Sequence, residues 1–484
     1  MKKLPFFSAF AALAMLAGAA ETARRPNIVF ILTDDQSVDT IASSKVWGSE
    51  AARTPHMDRL AADGTRFSHA YNMGAWHGAV CVASRSMLNT GRFLWYNHKA
   101  EARRFEDLVA GGRFWSQRMK AAGYTTMMSG KWHVTTELEP LFDKVLHPRP
   151  GMPPSVKESY NRPIEGKPDP WSPFDRSIGG FWQGGKHWSE ALADDAETLI
   201  KEAAGEKKPF FLYLAFNAPH DPRQSPREFI DLHPHDAVRM PENFLAANPH
   251  HQAMGLGPMN PKGIRDETLA PFPRTEFAVK THRREYQAIV SHLDEQIGRV
   301  LTTIESQGLR DNTVVILTSD HGLAIGRHGL MGKQSLYEHS IRVPFLIAGP
   351  GIPKARTIET RIHLQDAMAT ALDLAGADRT DIDFRSLMPL LRDGKTEHHG
   401  PIYAAMFPKA QRAVIDGDHK LILYPESRTS LLFNLADDPL EMTDLAGDPS
   451  KLPLLKRLFA RLLELQKTHD DPLDLKSSFP ALLP

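Results

Sequence analysis

Short, continuous apolar runs alternate along this chain with longer stretches in which apolar residues recur at helical spacing. Asn27 to Thr33 reads Asn-Ile-Val-Phe-Ile-Leu-Thr, the pattern of a strand covered on both faces. Similar runs stand at residues 125–128, 209–216, 313–318 and 343–348. Residues 105–122, 187–204 and 285–307 read as amphipathic helices. In the last of these, Ala288, Ile289, Leu293, Ile297, Val300, Leu301 and Ile304 fall at helical spacing. Strands alternating with helices predict an α/β fold, a large mixed and mostly parallel sheet flanked by helices. The pattern changes near Gly400. Residues 402–403, 413–415 and 419–424 read as antiparallel strands joined by turns, and residues 452–466 as a closing helix. A main domain over residues 24–395 is thus followed by a smaller C-terminal α+β subdomain over residues 396–484. Two proline-rich stretches, 146–173 and 222–273, predict long loops beside the sheet.

The polar residues that end these runs carry the chemistry. The first strand ends in Asp34-Asp35 and the second in Ser129-Gly130-Lys131-Trp132-His133. The third leads into Asn217-Ala218-Pro219-His220 and the fourth into Ser319-Asp320-His321-Gly322. Open α/β sheets bind ligands outside the carboxyl ends of their strands. Four apolar runs that each deliver charge or histidine to that edge are hard to explain by core packing. Singly, each group has a plain role: Asp34-Asp35 suits a turn cap, and Lys131, His133 and His220 suit exposed loops. Adjacency favours a cation at Asp34-Asp35, because two like charges side by side repel unless something stabilises both. Asp320 adds a third oxygen donor, and hard carboxylates suit Ca²⁺ or Mg²⁺. His321 adds a nitrogen donor, which is less usual for calcium.

Composition narrows the classes. The chain has 484 residues, 42% of them apolar, with 58 basic and 58 acidic side chains and a formal net charge of zero. No run of five like charges occurs, and the pairs Arg24-Arg25 and Arg283-Arg284 are too short for a nucleic-acid patch. No internal repeat or low-complexity segment is present. Residues 1–23 are laid out as a secretory signal peptide: Lys2-Lys3, an apolar run from Leu4 to Leu16, then Ala17-Gly18-Ala19-Ala20. That run is shorter than the ~20 apolar residues of a membrane span, so cleavage and a periplasmic or secreted mature chain are expected, without a stable membrane anchor.

Cys81 is the chain's one cysteine. In an exported protein it is inert, intermolecular or reactive. Its surroundings, Cys81-Val82-Ala83-Ser84-Arg85 followed by Thr90-Gly91-Arg92, resemble the activation motif of the formylglycine-dependent sulfatases, in the alkaline phosphatase superfamily. The resemblance extends through Pro26 to Gln36, Gly130 to His133, Asn217 to His220, Leu293 to Arg299, Thr318 to Gly322, His328 to Lys333 and Leu432 to Leu445. Two positions depart from the common pattern: Ala83 stands where many members have proline, and His321 where many have asparagine.

The resemblance implies that a maturation enzyme oxidises Cys81 to an aldehyde, formylglycine, whose hydrate attacks the sulfur of a sulfate ester. It implies a metal, Ca²⁺ with Mg²⁺ as alternative, held by Asp34, Asp35, Asp320, the modified Cys81 and His321. Arg85 would hold the hydrate, and Lys131 and Lys333 would neutralise sulfate oxygens. His220 would protonate the leaving oxygen, and His133 would take a proton from the hydrate to expel sulfate. A sulfated carbohydrate is the expected substrate, with Trp171, Trp182 and Trp188 available for stacking on sugar faces. Two other functions stay open: a phospho- or phosphonate-ester hydrolase of the same superfamily, and an inactive glycan-binding homologue.

Overall fold

The computed structural model describes residues 25–48, 52–257 and 263–483. The signal-peptide reading of residues 1–23 lies outside them. Asn27–Thr33 is the central strand of an eight-stranded sheet, and all seven of its residues are buried. Its alternate side chains enter two separate cores. Ile28, Phe30 and Leu32 pack with Trp115, Tyr213 and Met368 on one face. Val29 and Ile31 pack with Leu192, Ile289 and Leu293 on the other. This double burial is why the run is apolar throughout instead of alternating.

Five neighbouring strands run parallel: Thr313–Ser319, Asn27–Thr33, Phe210–Ala215, Thr125–Lys131 and Lys144–Arg149. On the other side, Phe345–Ala348 is antiparallel to both of its neighbours, Thr313–Ser319 and Gly64–Phe67. The expected mixed, mostly parallel sheet is therefore present, with a C-terminal antiparallel sheet beside it.

Several predicted elements differ in detail. The run 343–348 is two strands, because Pro344 has no N–H to donate. Arg342–Val343 pairs with Ala70–Tyr71 in a small sheet, and only Phe345–Ala348 joins the large one. The helix expected over 105–122 breaks at Gly111-Gly112 into Glu106–Ala110 and Trp115–Ala121, with Gly112 at φ +65°. The helix expected from residue 285 starts earlier and runs Glu276–Ser306, where the Thr275 hydroxyl accepts from the Ala278 N–H at 3.2 Å.

The C-terminal sheet orders Thr429–Asn434, His419–Tyr424, Gln411–Asp416 and Ile402–Met406 as an antiparallel meander. Its fifth strand is Gly74–Ala75, from the segment just ahead of Cys81, paired parallel to Ile402–Met406. Gly74 sits at φ +87°, and a β-carbon there would fall 1.9 Å from the Ala405 carbonyl oxygen, so only glycine allows this approach. The helix Leu452–Thr468 covers the sheet, and its Leu455, Leu458, Phe459 and Leu462 share a core with Cys81, Met87 and Trp95.

Candidate active site

The first and fourth strands are hydrogen-bonded neighbours, with Thr33 paired to Ser319, so the residues that follow them emerge side by side. Those residues are Asp34-Asp35 and Asp320. The Asp34 N–H donates to the Ala218 carbonyl at 3.1 Å, and the Asp320 N–H donates to the Thr33 carbonyl at 3.2 Å. Asp35 takes a left-handed backbone, φ +66°, uncommon for a residue with a β-carbon. It is held there from both sides: its N–H donates to Asp320 Oδ1 at 3.2 Å and its carbonyl accepts from the Tyr286 hydroxyl at 2.7 Å.

Cys81 lies in the first turn of the helix Val80–Thr90, every residue of which is buried. Its Sγ is 3.2 Å from Asp34 Oδ1 and 3.3 Å from Lys333 Nζ. Arg85, one turn along the same face, donates from Nε to Asp320 Oδ2 at 2.9 Å and from Nη1 to the Lys131 carbonyl at 2.8 Å. Lys131 pairs with Asp34, and Lys333 pairs with Asp35 at 2.6 Å. Each carboxylate thus has a cationic partner, Lys131 for Asp34, Lys333 for Asp35 and Arg85 for Asp320, and Arg85 Nη2 also stands 3.8 Å from Asp34 Oδ1. Buried charges persist only when matched in this way. Ligand atoms of Asp34, Asp35, Cys81 and Asp320 all lie within 4.8 Å of one another.

The electrostatics follow from this crowding. Burial pushes the Asp35 carboxyl well up; Lys333 opposes the shift, while Asp34 and Asp320 add to it. Burial, then Asp320 and Asp34, pushes the Cys81 thiol well up, so an unmodified thiol stays protonated and weakly nucleophilic. Burial is the largest influence on Asp320 and would raise it, but Arg85, Lys131 and the other positive neighbours together hold that carboxyl well below its usual range.

His220 is buried, at 5% exposure, contrary to the expectation of an exposed loop histidine. The Asn217-Ala218-Pro219 turn folds it under neighbouring loops. Its Nε2 stands 3.6 Å from Asp35 Oδ2. Its Nδ1 is 2.8 Å from the Asp221 carbonyl and 3.3 Å from Asp221 Oδ1. Burial, then Lys333, lowers its pKa to about 4. His133 lies in the same cavity with φ +54° and a buried Nδ1 that has no hydrogen-bond partner. Burial, then Lys131 and Arg85, lowers it to about 2. Gly151 makes room for its ring, since a β-carbon there would lie 2.4 Å from His133 Nε2. The structure does not bring His321 into the carboxylate group: its Nε2 faces the Val80 carbonyl at 3.3 Å, and its Nδ1 is buried without a partner.

Cys81, His133, His220 and Lys333 line a cavity of about 570 Å³, a size that takes a sugar residue. Both proline-rich loops contribute walls, Pro150 to Met152 from one and Gly263 to Asp266 from the other. The sequence pattern missed several residues here. Arg265 grips Asp221 with both terminal nitrogens, one at 2.9 Å, and Asp266 accepts from Gln334 Nε2 at 2.9 Å. The Arg265-Asp266 pair inside a proline-rich loop was the available signal. The stacking role expected of tryptophan is overturned. Trp171, Trp182 and Trp188 are 4–5% exposed, are absent from this cavity's lining, and are each covered by an arginine, Arg162, Arg176 and Arg149, at 4.4–4.6 Å.

A helix-borne residue facing matched carboxylates and ammonium groups, beneath a sugar-sized cavity at a parallel sheet's carboxyl edge, is built to process an anionic ester. The sulfatase family profile matches residues 26–377, and the profile for the C-terminal region of N-sulphoglucosamine sulphohydrolase matches 326–468. The chain belongs to the sulfatase family and is a hydrolase of that family. Members typically work through a formylglycine and a metal, and Cys81 lies in a buried acidic cluster. An N-acetylglucosamine-6-O-sulfatase of Bacteroides thetaiotaomicron is 26% identical, covering 93% of this chain and 88% of its own. A solved structure in complex with its substrate D-glucosamine-2-N,6-O-disulfate superposes with a TM-score of 0.70 at 23% identity, over 93% of this chain and 99% of the other. A phosphonate monoester hydrolase from Silicibacter pomeroyi superposes with a TM-score of 0.71 at 20% identity, over 93% and 96%. No helix among the described residues is long and apolar enough to cross a membrane.

Proposed function

We propose that the protein hydrolyses sulfate esters on a carbohydrate, with Cys81, converted to formylglycine, as nucleophile. The carrying observation is the position of Cys81: first turn of a buried helix, between Asp34 and Lys333, at the floor of a cavity of sugar size. The sulfated-sugar chemistry named for the similar proteins supports the substrate class.

The donor set fits a hard divalent cation, calcium or magnesium. Oxygen atoms of Asp34, Asp35 and Asp320 and the sulfur of Cys81 lie within 4.8 Å of one another, a spacing compatible with such an ion. When bound, such an ion screens the charge of the ester and lowers the pKa of the nucleophilic hydroxyl. Asp34 and Asp35 would then be neutralised without their lysines, leaving Lys131 and Lys333 free to meet sulfate oxygens. Arg85, tied to Asp320 and to the Lys131 carbonyl, fixes the helix face that carries residue 81.

His220 is placed to give a proton to the leaving sugar oxygen, which departs poorly as an alkoxide. With Nδ1–H on the Asp221 carbonyl, its Nε2 turns toward Asp35 and the cavity. The Asp221 carboxylate, 3.3 Å from Nδ1, stabilises the protonated ring. His133, unpaired in the same cavity, is placed to accept a proton from residue 81 as sulfate leaves.

The layout of residues 1–23 supports export to the periplasm or the outside, and the unpaired Cys81 implies a maturation enzyme as partner. Protein made with that enzyme should give a Cys81 peptide that has lost sulfur and two hydrogens and gained one oxygen. It should release sulfate from sulfated sugars and turn over aryl sulfate well above aryl phosphate or phosphonate. An unmodified thiol in fully active protein would sink the reading.

A further inference from the structure

A second buried constellation lies away from the Cys81 cavity, where the main domain meets the C-terminal sheet. Asp366 opens the helix Asp366–Ala375 and is fully buried. Each of its oxygens accepts one main-chain N–H, Oδ2 from His363 and Oδ1 from Arg385, both at 2.9 Å. Onto the same carboxylate converge two imidazoles, His398 Nε2 at 2.9 Å and His399 Nε2 at 2.8 Å. Ligand atoms of the three residues lie within 4.8 Å of one another.

Two adjacent imidazoles both turn Nε2 to a carboxylate whose oxygens already hold main-chain donors. His363 packs on His399 with ring centroids 4.7 Å apart, and its buried Nδ1 has no partner. His469, nearby, also carries a buried, unpartnered Nδ1. His363, His399 and His469 line a cavity of about 350 Å³ with Asp383, Arg385 and Asp470, so the cluster has an entry path.

We propose that Asp366, His398 and His399 bind a divalent first-row transition ion, zinc by the chemistry of the donors. Two imidazoles and one carboxylate form a borderline set that suits Zn²⁺, in contrast to the all-carboxylate group at Asp34, Asp35 and Asp320. The ion clips the helix Asp366–Ala375 to the segment that leads into Ile402–Met406. Its role is structural, since none of the three residues lines the Cys81 cavity. Binding that requires the folded arrangement stabilises the fold.

The test uses the untagged full chain, stripped with chelator and then held in saturating Ca²⁺ so that the carboxylate site is filled. Titration with Co²⁺ should give a visible d–d band saturating at one ion per chain and displaced by Zn²⁺, and Zn²⁺ should raise the melting temperature. His399→Gln keeps an N–H for Asp366. It should fold and melt as the metal-free protein does, yet lose the band and the zinc-dependent shift. No band in the wild type, or an equal band in His399→Gln, overturns the proposal. If the variant does not fold, wild-type crystals grown in Zn²⁺ decide. Anomalous density about 2.0–2.2 Å from both Nε2 atoms and an Asp366 oxygen supports the site. Density only at Asp34, Asp35 and Asp320, or none, refutes it.

Discussion

The molecule holds two buried, carboxylate-centred clusters, and they are balanced differently. Around Cys81, three carboxylates face three permanent cations, Lys131, Lys333 and Arg85. Around Asp366, one carboxylate faces two histidines. Partners in the first set can be exchanged: a bound cation can take over a carboxylate while its lysine turns to an anionic substrate. The second set has no such spare charge, and it ties together two chain segments instead of lining the reaction cavity. Charge that can be redistributed suits turnover, whereas one carboxylate shared by two imidazoles suits holding.

Substitutions test the contrast from the strongest effect downward. Cys81→Ala should reduce sulfate-ester turnover to background while circular dichroism and melting stay unchanged, since the side chain removed is small. Turnover above background in that variant would move the nucleophile elsewhere. Asp35→Asn leaves Lys333 buried without its carboxylate, a loss of about 3–5 kcal/mol by the usual cost of breaking a buried pair. Melting temperature and activity should fall together, and calcium affinity with them. A variant that keeps its calcium affinity would remove Asp35 from the cation site.

His220→Ala should lower hydrolysis of sugar sulfates by about 10²- to 10⁴-fold, the usual worth of general acid catalysis. Nitrophenyl sulfate should suffer far less, because nitrophenolate leaves without a proton. Equal losses on both would reassign His220 to sulfate binding. Asp221→Asn removes charge beside His220 Nδ1 and from the grip of Arg265. It should cost about 1.5–3 kcal/mol, the worth of a charge-assisted hydrogen bond. The loss should fall in kcat on sugar sulfates and show the same leaving-group dependence; a uniform loss would make Asp221 structural only. Smallest of all, His399→Gln should leave kcat and KM unchanged and remove only the zinc-dependent stabilisation. A fall in kcat would show that the second cluster reaches the first.

Much of the first cluster was legible in the chain. Apolar runs end at Thr33, Met128, Phe216 and Thr318, and parallel pairing of buried strands must bring their carboxyl ends to one edge. Helical spacing put Arg85 over Cys81. Burial was not legible. His220 reads as an exposed loop residue, and its cover comes from Arg265 and Asp266, more than forty residues further on. Trp171, Trp182 and Trp188 suit stacking on sugar faces, but each is buried beneath an arginine. Asp221 gave no pattern at all, because its meaning depends on Arg265.

The sequence by itself determined the main strands of the parallel sheet, the edge that carries the chemistry, and the membership of Cys81, Asp34, Asp35 and Asp320 in one site. The strands and the edge rest on strand periodicity and on what a buried run can contain, whereas the place of Cys81 beside the carboxylates rests on its resemblance to the sulfatase activation motif. Only the tertiary structure decided that Gly74–Ala75 completes the C-terminal sheet, that His321 turns to the Val80 carbonyl, and that His398-His399 meet Asp366 from 32 residues away. Those pairings join segments with no local signal in common. They are selected by the packing of the whole chain, where one approach fills the core and satisfies the buried polar groups together.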